Sequence, residues 1–298
     1  MQRTVYAYDL FFEKWKRGHF NAPVSYFEDM INCLMEISKY DLAEKTKNIH
    51  TDHKVVFLES ISYNEENEMA ELVFVSARYG VVRQVINTET YENKGILKEK
   101  PDGDLEKTHI LLKGYGSAHA IALYEYNKDG IGFVRILSYI NEFVKSLHVA
   151  GEDYIRYTIS GKNIVSQDFL GALEKLKRIK AVTLTVNQEE VGVSEFKALS
   201  GKHDISEDVD IVLKPAARGL SILGSTVLDF FNKYNNRSMP IKCITVEGDR
   251  ETNDPLVFDT EKMKEKYPVE VLTNVNGEVE AYDIFNEMHK IINYFDMR

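Results

Sequence analysis

The chain reads as an α+β protein of two mixed α/β domains, with antiparallel-rich sheets and amphipathic helices packed on them. Three observations predict this. Short Val-, Ile- and Phe-rich runs separated by polar turns recur in both halves, as strands joined by hairpins do. Apolar residues at helical spacing stand between them, most clearly Ile284, Phe285, Met288, Ile291, Ile292 and Phe295 near the C-terminus. The length of 298 residues exceeds the size at which one core usually stops growing, so two domains are expected.

In order, Thr4 to Leu10 is a β-rich run. Ser25 then has capping-box spacing to Glu28 ahead of Phe27, Met30, Ile31 and Leu34, which predicts an amphipathic helix. Strands follow at Lys54 to Ile61, Ala70 to Ser76 and Val81 to Ile86. Residues 87 to 107 are charged and turn-rich around Pro101-Asp102-Gly103, and read as a loop. Strands are expected again at His109 to Leu112, Ala120 to Tyr126 and Ile131 to Val134, then a helix through Leu137, Ile140, Val144 and Leu147. The helix end at Val149 to Glu152 places the domain boundary, giving domains 1–150 and 151–298. The second domain opens with a strand at Tyr154 to Ile159 and a helix capped by Ser166, with Phe169, Leu170, Leu173 and Leu176 as its buried stripe. After it come a strand at Ala181 to Val186, an acidic looped stretch from Gln188 to Asp210 and a strand at Val209 to Leu213. A long helix from Leu220 to Tyr234, strands at Ile241 to Glu247 and Val269 to Leu272, and the C-terminal helix complete the chain.

Composition narrows the class. Hydrophobic residues make up 44% and charged residues 28%, as in an ordinary globular protein. The N-terminal residues lack the basic flank and apolar run of a secretory signal, and no apolar stretch is long enough to cross a membrane, so a cytoplasmic protein is expected. Cys33 and Cys243 are single thiols far apart in sequence, without the spacing of a disulfide framework or zinc site. His50 and His53 have no third ligand nearby in sequence and read as a surface pair. Gly114-Tyr115-Gly116-Ser117 lacks both the dinucleotide fingerprint and the P-loop Lys-Ser/Thr, and reads as a bend. No cofactor is expected.

Charge is segregated although the formal net charge is -10. From Ser160 to Val182 five Lys/Arg face two acids, and from Ile211 to Val246 five face one. The intervening Asn187 to Asp210 carries seven acids against two lysines. On a helix continued through residue 178, Lys175 and Arg178 fall opposite the Phe169/Leu173 stripe, where phosphates could reach them. Cations at a helix C-terminus also complement the macrodipole, which alone would favour this placement. The candidate DNA-binding residues are Lys175, Lys177, Arg178, Lys180, Lys214 and Arg218. Asp208, Asp210, Glu247 and Asp249 are the acids a metal-dependent nuclease would use, since two-metal sites need converging carboxylates. The spacing from Asp210 to Lys214 is too long for the common acid-any-Lys nuclease core.

Two stretches carry a family resemblance. One is Ile121 to Val144, especially Tyr126-Asn127-Lys128-Asp129-Gly130-Ile131-Gly132-Phe133-Val134-Arg135. The other is Asp208-Val209-Asp210-Ile211-Val212-Leu213-Lys214-Pro215, followed by a basic helix start at Arg218. With the order of elements between them, they resemble the RexA-like phage-exclusion (abortive infection) proteins over about two-thirds of the chain. The resemblance implies a two-domain cytoplasmic protein that binds double-stranded DNA, forms a homodimer, senses infection and acts with a membrane-protein partner encoded nearby. The acidic overall charge departs from that pattern. The leading expectation is therefore non-specific, non-catalytic DNA binding in antiphage defence. The alternatives are a metal-dependent nuclease of a defence system and a protein-sensing module that does not bind DNA.

Overall fold

Strand and helix formation follow the apolar periodicities closely enough that most expected elements are present. The computed structural model describes residues 1–14, 23, 25–149, 157–166, 168–187, 208–217, 219–235, 238–252 and 254–296. The chain begins with β1 (Gln2–Lys14), α1 (Tyr26–Ser38), α2 (Leu42–Lys45), β2 (Lys47–Ile49), β3 (Lys54–Asn64) and β4 (Met69–Arg78). It continues through β5 (Gln84–Ile86), β6 (Asn93–Ile96), β7 (Asp104–Gly114), β8 (His119–Tyr126), α3 (Phe133–Val149) and β9 (Tyr157–Asn163). Then come α4 (Asp168–Glu174), β10 (Leu176–Asn187), β11 (Asp208–Leu213), α5 (Gly224–Asn235), β12 (Ile241–Arg250) and β13 (Pro255–Asp259). The chain closes with β14 (Lys266–Glu270) and α6 (Ala281–Asp296). The α+β class with antiparallel sheets is as the sequence predicts.

The two compact units are residues 1–163 with 266–298, and residues 164–265. They differ from the contiguous halves 1–150 and 151–298, because β9, β14 and α6 all belong to the first unit. The physical reason lies in β1. One edge pairs with β8, while the other is shared end to end, β14 pairing with Gln2 to Tyr6 and β9 with Tyr8 to Lys14. The chain thus leaves the first sheet at Asn163, opposite Tyr8, and returns at Lys266, opposite Tyr6. Strands that far apart in sequence show no local sign of sharing an edge.

The first unit has the strand order β14-β1-β8-β7-β4-β3-β2, with β9 also on β1 and every pairing antiparallel. One face packs Leu10, Leu58, Leu72, Phe74, Ile110 and Leu112 in one core with residues of α1 and α3. The cap predicted for α1 is present, Ser25 Oγ accepting from the Glu28 amide at 3.2 Å. The opposite face carries α6, whose Ile284, Phe285, Met288, Ile291 and Ile292 are buried. The central strands therefore bury both faces and read as continuous apolar runs, like Ile121 to Tyr124.

Three local expectations change. Ile131 to Val134 is not a strand: it leads into the first turn of α3, which begins at Phe133. Of Val81 to Ile86 only Gln84–Ile86 is strand, pairing with Asn93–Ile96 of the expected loop in a two-stranded excursion, β5 with β6, outside the main sheet, while Asp104 to Lys107 of that loop open β7. Residue 154 lies outside the described residues, and the strand expected there runs Tyr157–Asn163. The bend at Gly114 to Ser117 is as expected, with Gly116 at a φ of 76° that a side chain would strain.

The second unit is a four-stranded antiparallel sheet, β11-β10-β12-β13. Val182, Leu184, Val186, Ile244 and Val246 form its core with α4 and α5, where Phe169 stacks on Phe231 at 4.9 Å between ring centroids. Among the described residues its other face carries Thr183, Thr185, Asp210 and Glu247, half-buried or exposed.

Candidate nucleic-acid interface

The basic cluster is built differently from the helical surface the sequence suggests. Helix α4 ends at Glu174, Lys175 is in the turn that follows, and Leu176 already opens β10. Leu176 therefore belongs to the strand rather than to the Phe169/Leu173 stripe. Lys177, Arg178 and Lys180 are strand residues, so the expected placement of Lys175 and Arg178 on one helical face does not occur. A run of Leu, Lys and Ile fits either period over so few residues, and pairing with β12 decides between them.

The strand sorts the cations. Lys175 and Lys177 are exposed, and neither has an ion-pair partner among the described residues. Arg178 is half-buried, and its Nε donates to the Leu220 carbonyl at 3.1 Å. The Ser221 hydroxyl accepts from the Ile179 amide at 2.9 Å, and the Ile222 amide donates to the Ile179 carbonyl at 3.1 Å. The segment before α5 is thus fastened along the first part of β10. Lys180 is paired with Asp249 of β12 at 2.6 Å. Lys214 follows β11 directly and is exposed, also without an ion-pair partner among the described residues. Arg218 lies outside the described residues, as does most of the acidic stretch, 188–207.

Antiparallel pairing brings Lys214 to this same end of the sheet. Leu213 stands opposite Val182, so Lys214 flanks the early part of β10 that carries Lys177. Four residues of strand separate the two levels, roughly 13 Å, which is within reach of neighbouring phosphates for long side chains. Three of the six candidate residues thus form an open cationic end, two are spent on holding the unit together, and one is outside the described region.

The nuclease acids do not converge. Asp210 sits beside Thr185 on one edge of β10 and accepts from its hydroxyl at 2.7 Å. Glu247 sits beside Ala181 on the other edge. Four residues along the strand and two strand spacings across place them roughly 16 Å apart, against the ~4 Å of a two-metal centre. Asp208 is bound to Lys242 and Asp249 to Lys180. Among the described residues no group of three or more His, Cys, Asp and Glu side chains could hold a metal ion.

No protein-family model matches the chain, and no curated protein matches it. Among the described residues, no helix is long and apolar enough to cross a membrane.

A buried ionic cluster escaped the sequence reading. His109 of β7 and Glu125 of β8 flank the paired Ile110 and Tyr124 at the end of the ladder and are nearly inaccessible, at 0% and 1% exposure, with Nδ1 and Oε2 2.6 Å apart. The His109 amide also donates to Glu125 Oε2, at 3.3 Å. Arg3 Nε stands 3.3 Å from the other carboxylate oxygen, close enough to attract it but not aligned as a hydrogen bond. The Phe285 ring of α6 meets His109 edge to face at 5.4 Å. A polar, titratable residue at the end of each of two apolar strand runs was the available signal.

Proposed function

We propose that the chain is a RexA-like antiphage protein that binds double-stranded DNA through its phosphates, without base specificity and without catalysis, in the cytoplasm. The observation that carries this reading is the cationic end of the second unit. Lys175, Lys177 and Lys214 are exposed there and unpaired among the described residues, although acids outnumber bases in the chain as a whole. Lysines that neutralise phosphates release counterions, so binding falls with salt at a log-log slope of about -0.9 per contact. Three contacts per protomer give a slope of about -3. In a gel-shift titration, unrelated duplexes should bind alike, and Lys175→Glu with Lys177→Glu should weaken binding to all of them about equally. A wild-type protein that shifts no long duplex at low salt, or shifts it independently of salt, removes the reading in favour of a protein-sensing role.

Homodimerisation belongs to the same proposal. The apolar face of α6 is used up on the first sheet, so the surface that supports self-association is the β5–β6 excursion, where Val85, Ile86, Tyr91 and Ile96 are exposed. Light scattering at micromolar concentration should give twice the chain mass, and Ile86→Asp should lower it; a monomer mass for the unaltered chain counts against the dimer. A membrane-protein partner encoded nearby would receive the signal of infection.

A further inference from the structure

Across the β3–β4 ladder Lys54 stands directly opposite Arg78. Like charges in that relation destabilise a sheet unless something offsets them. On its other side Arg78 faces Asp104, whose carboxylate is held by Lys98 at 2.5 Å. Arg78 is exposed and has no ion-pair partner among the described residues. The Lys54 ammonium donates to the backbone carbonyls of Asp129, at 2.6 Å, and Gly130, which leaves one of its three N–H groups. Its pKa is lowered, by burial first and then by the charge of Arg78.

The two cations line a cavity of about 300 Å³ together with Asp52, Gly130, Ile131 and Gly132. Asp52 is the one acid in that wall; its charge, with those of Asp129 and Glu106, partly offsets Lys54, but among the described residues none of them forms an ion pair with Arg78. Arg135 grips both carboxylate oxygens of Asp52, from Nε and Nη2 at 2.9 Å each, and lowers its pKa. Helix α3 starts at the cavity with no acidic residue in its first turn, so its N-terminal partial charge adds to the two cations. A Cβ added at Gly132 would meet nothing within 4 Å, so the wall is open at that point.

We propose that this cavity binds a phosphate-bearing anion, held between Lys54 and Arg78 at the start of α3. The cavity and its cross-strand cations, of which Arg78 has no ion-pair partner among the described residues, carry the inference, and the helix end strengthens it. The guanidinium offers paired N–H donors to two phosphate oxygens, and Lys54 supplies the remaining N–H. A phosphate group occupies only part of the volume, which leaves room for the organic part of a small phosphorylated molecule or for a nucleic-acid terminus.

The test is calorimetric titration of the full chain at fixed ionic strength with inorganic phosphate, adenosine monophosphate, and a short oligonucleotide with and without a 5′-phosphate. Inorganic phosphate should bind saturably, and Arg78→Gln should weaken it roughly tenfold to a hundredfold, the value of a hydrogen bond to a charged group. Gly132→Val, which fills the opening, should abolish binding while circular dichroism shows the fold retained, the thermal midpoint falling only slightly because Val is a poorer cap for α3. Tighter binding of the mononucleotide assigns the site to a free phosphorylated metabolite, and a requirement for the 5′-phosphate of the oligonucleotide assigns it to a strand end. No saturable binding of any probe below about 10 mM, or affinities indifferent to Arg78→Gln, overturns the proposal. The cavity is lined by first-unit residues alone and the lysines belong to the second unit, so Arg78→Gln should leave the long-duplex gel shift intact and the two readings fail independently.

Discussion

At the scale of single residues, a costly arrangement is the Arg3–Glu125–His109 cluster, whose imidazole meets the Phe285 ring of α6. Taking charges out of water costs several kcal/mol each, and the expense is offset only while partners face one another. Among the described residues His109 Nε2 has no hydrogen-bond partner, and Ser76 Oγ elsewhere in the unit has none either. Removing one member should therefore cost more than the contact itself is worth. Glu125→Ala should destabilise the chain by about 3 kcal/mol, measured as a lower urea midpoint at unchanged slope, because it leaves the inaccessible Arg3 Nε and the buried His109 ring without their acceptor. Glu125→Gln keeps the shape and one acceptor and should cost less. Equal midpoints for both variants and the unaltered protein would show that the cluster contributes nothing to stability.

At the scale of elements, the chain divides into segments whose period is unambiguous and segments whose neighbours decide. Helix α6 repeats its apolar positions over about three turns and Thr4 to Leu10 of β1 is β-rich, so both elements are legible from residues alone. Leu176 to Ile179 is too short to show a period, and backbone pairing with β12 turns it into strand. Ile131 to Val134 is apolar enough for a strand, but Gly132 opens a helix there instead. The consequence for the basic cluster can be measured. Arg178 fastens Leu220 to β10, whereas Lys177 next to it touches no partner among the described residues. Arg178→Ala should lower stability by about 1 kcal/mol while leaving the salt slope of DNA binding nearly unchanged. Lys177→Ala should do the reverse, reducing the slope by about 0.9 with the thermal midpoint unaltered.

At the scale of the whole molecule, the second unit is an insertion between β9 and β14 of the first. The ends of the insertion are tied to each other, the Glu265 amide donating to the Ile164 carbonyl at 2.7 Å. In the first unit Asn163 and Lys266 sit opposite Tyr8 and Tyr6, two residues apart on β1. A short Gly/Ser linker can span that gap. Replacing residues 164–265 by such a linker should leave the first unit folded and cooperative, with its phosphate site and without its affinity for long duplexes. Ending the chain at Asn163 should not, because it removes β14 and α6 and uncovers the apolar face beneath them. Amide exchange would separate the outcomes: protection of β7 and β8 kept in the first chain and lost in the second.

Local pattern by itself determined the α+β class, the antiparallel strands, the α1 cap and the amphipathic helices, because period and capping act within a few residues of chain. Tertiary structure decided what depends on partners distant in sequence. β1 offers one edge to two strands more than a hundred residues apart, so the units are nested rather than consecutive. Pairing with β12 turned three of the expected helical cations into strand residues and gave Lys180 to Asp249, which left Lys175, Lys177 and Lys214 as the open ones. The Lys54–Arg78 cavity and the His109–Glu125 pair exist only through cross-strand register, which fixes neighbours by hydrogen bonding across the sheet and leaves no spacing along the chain from which to read them.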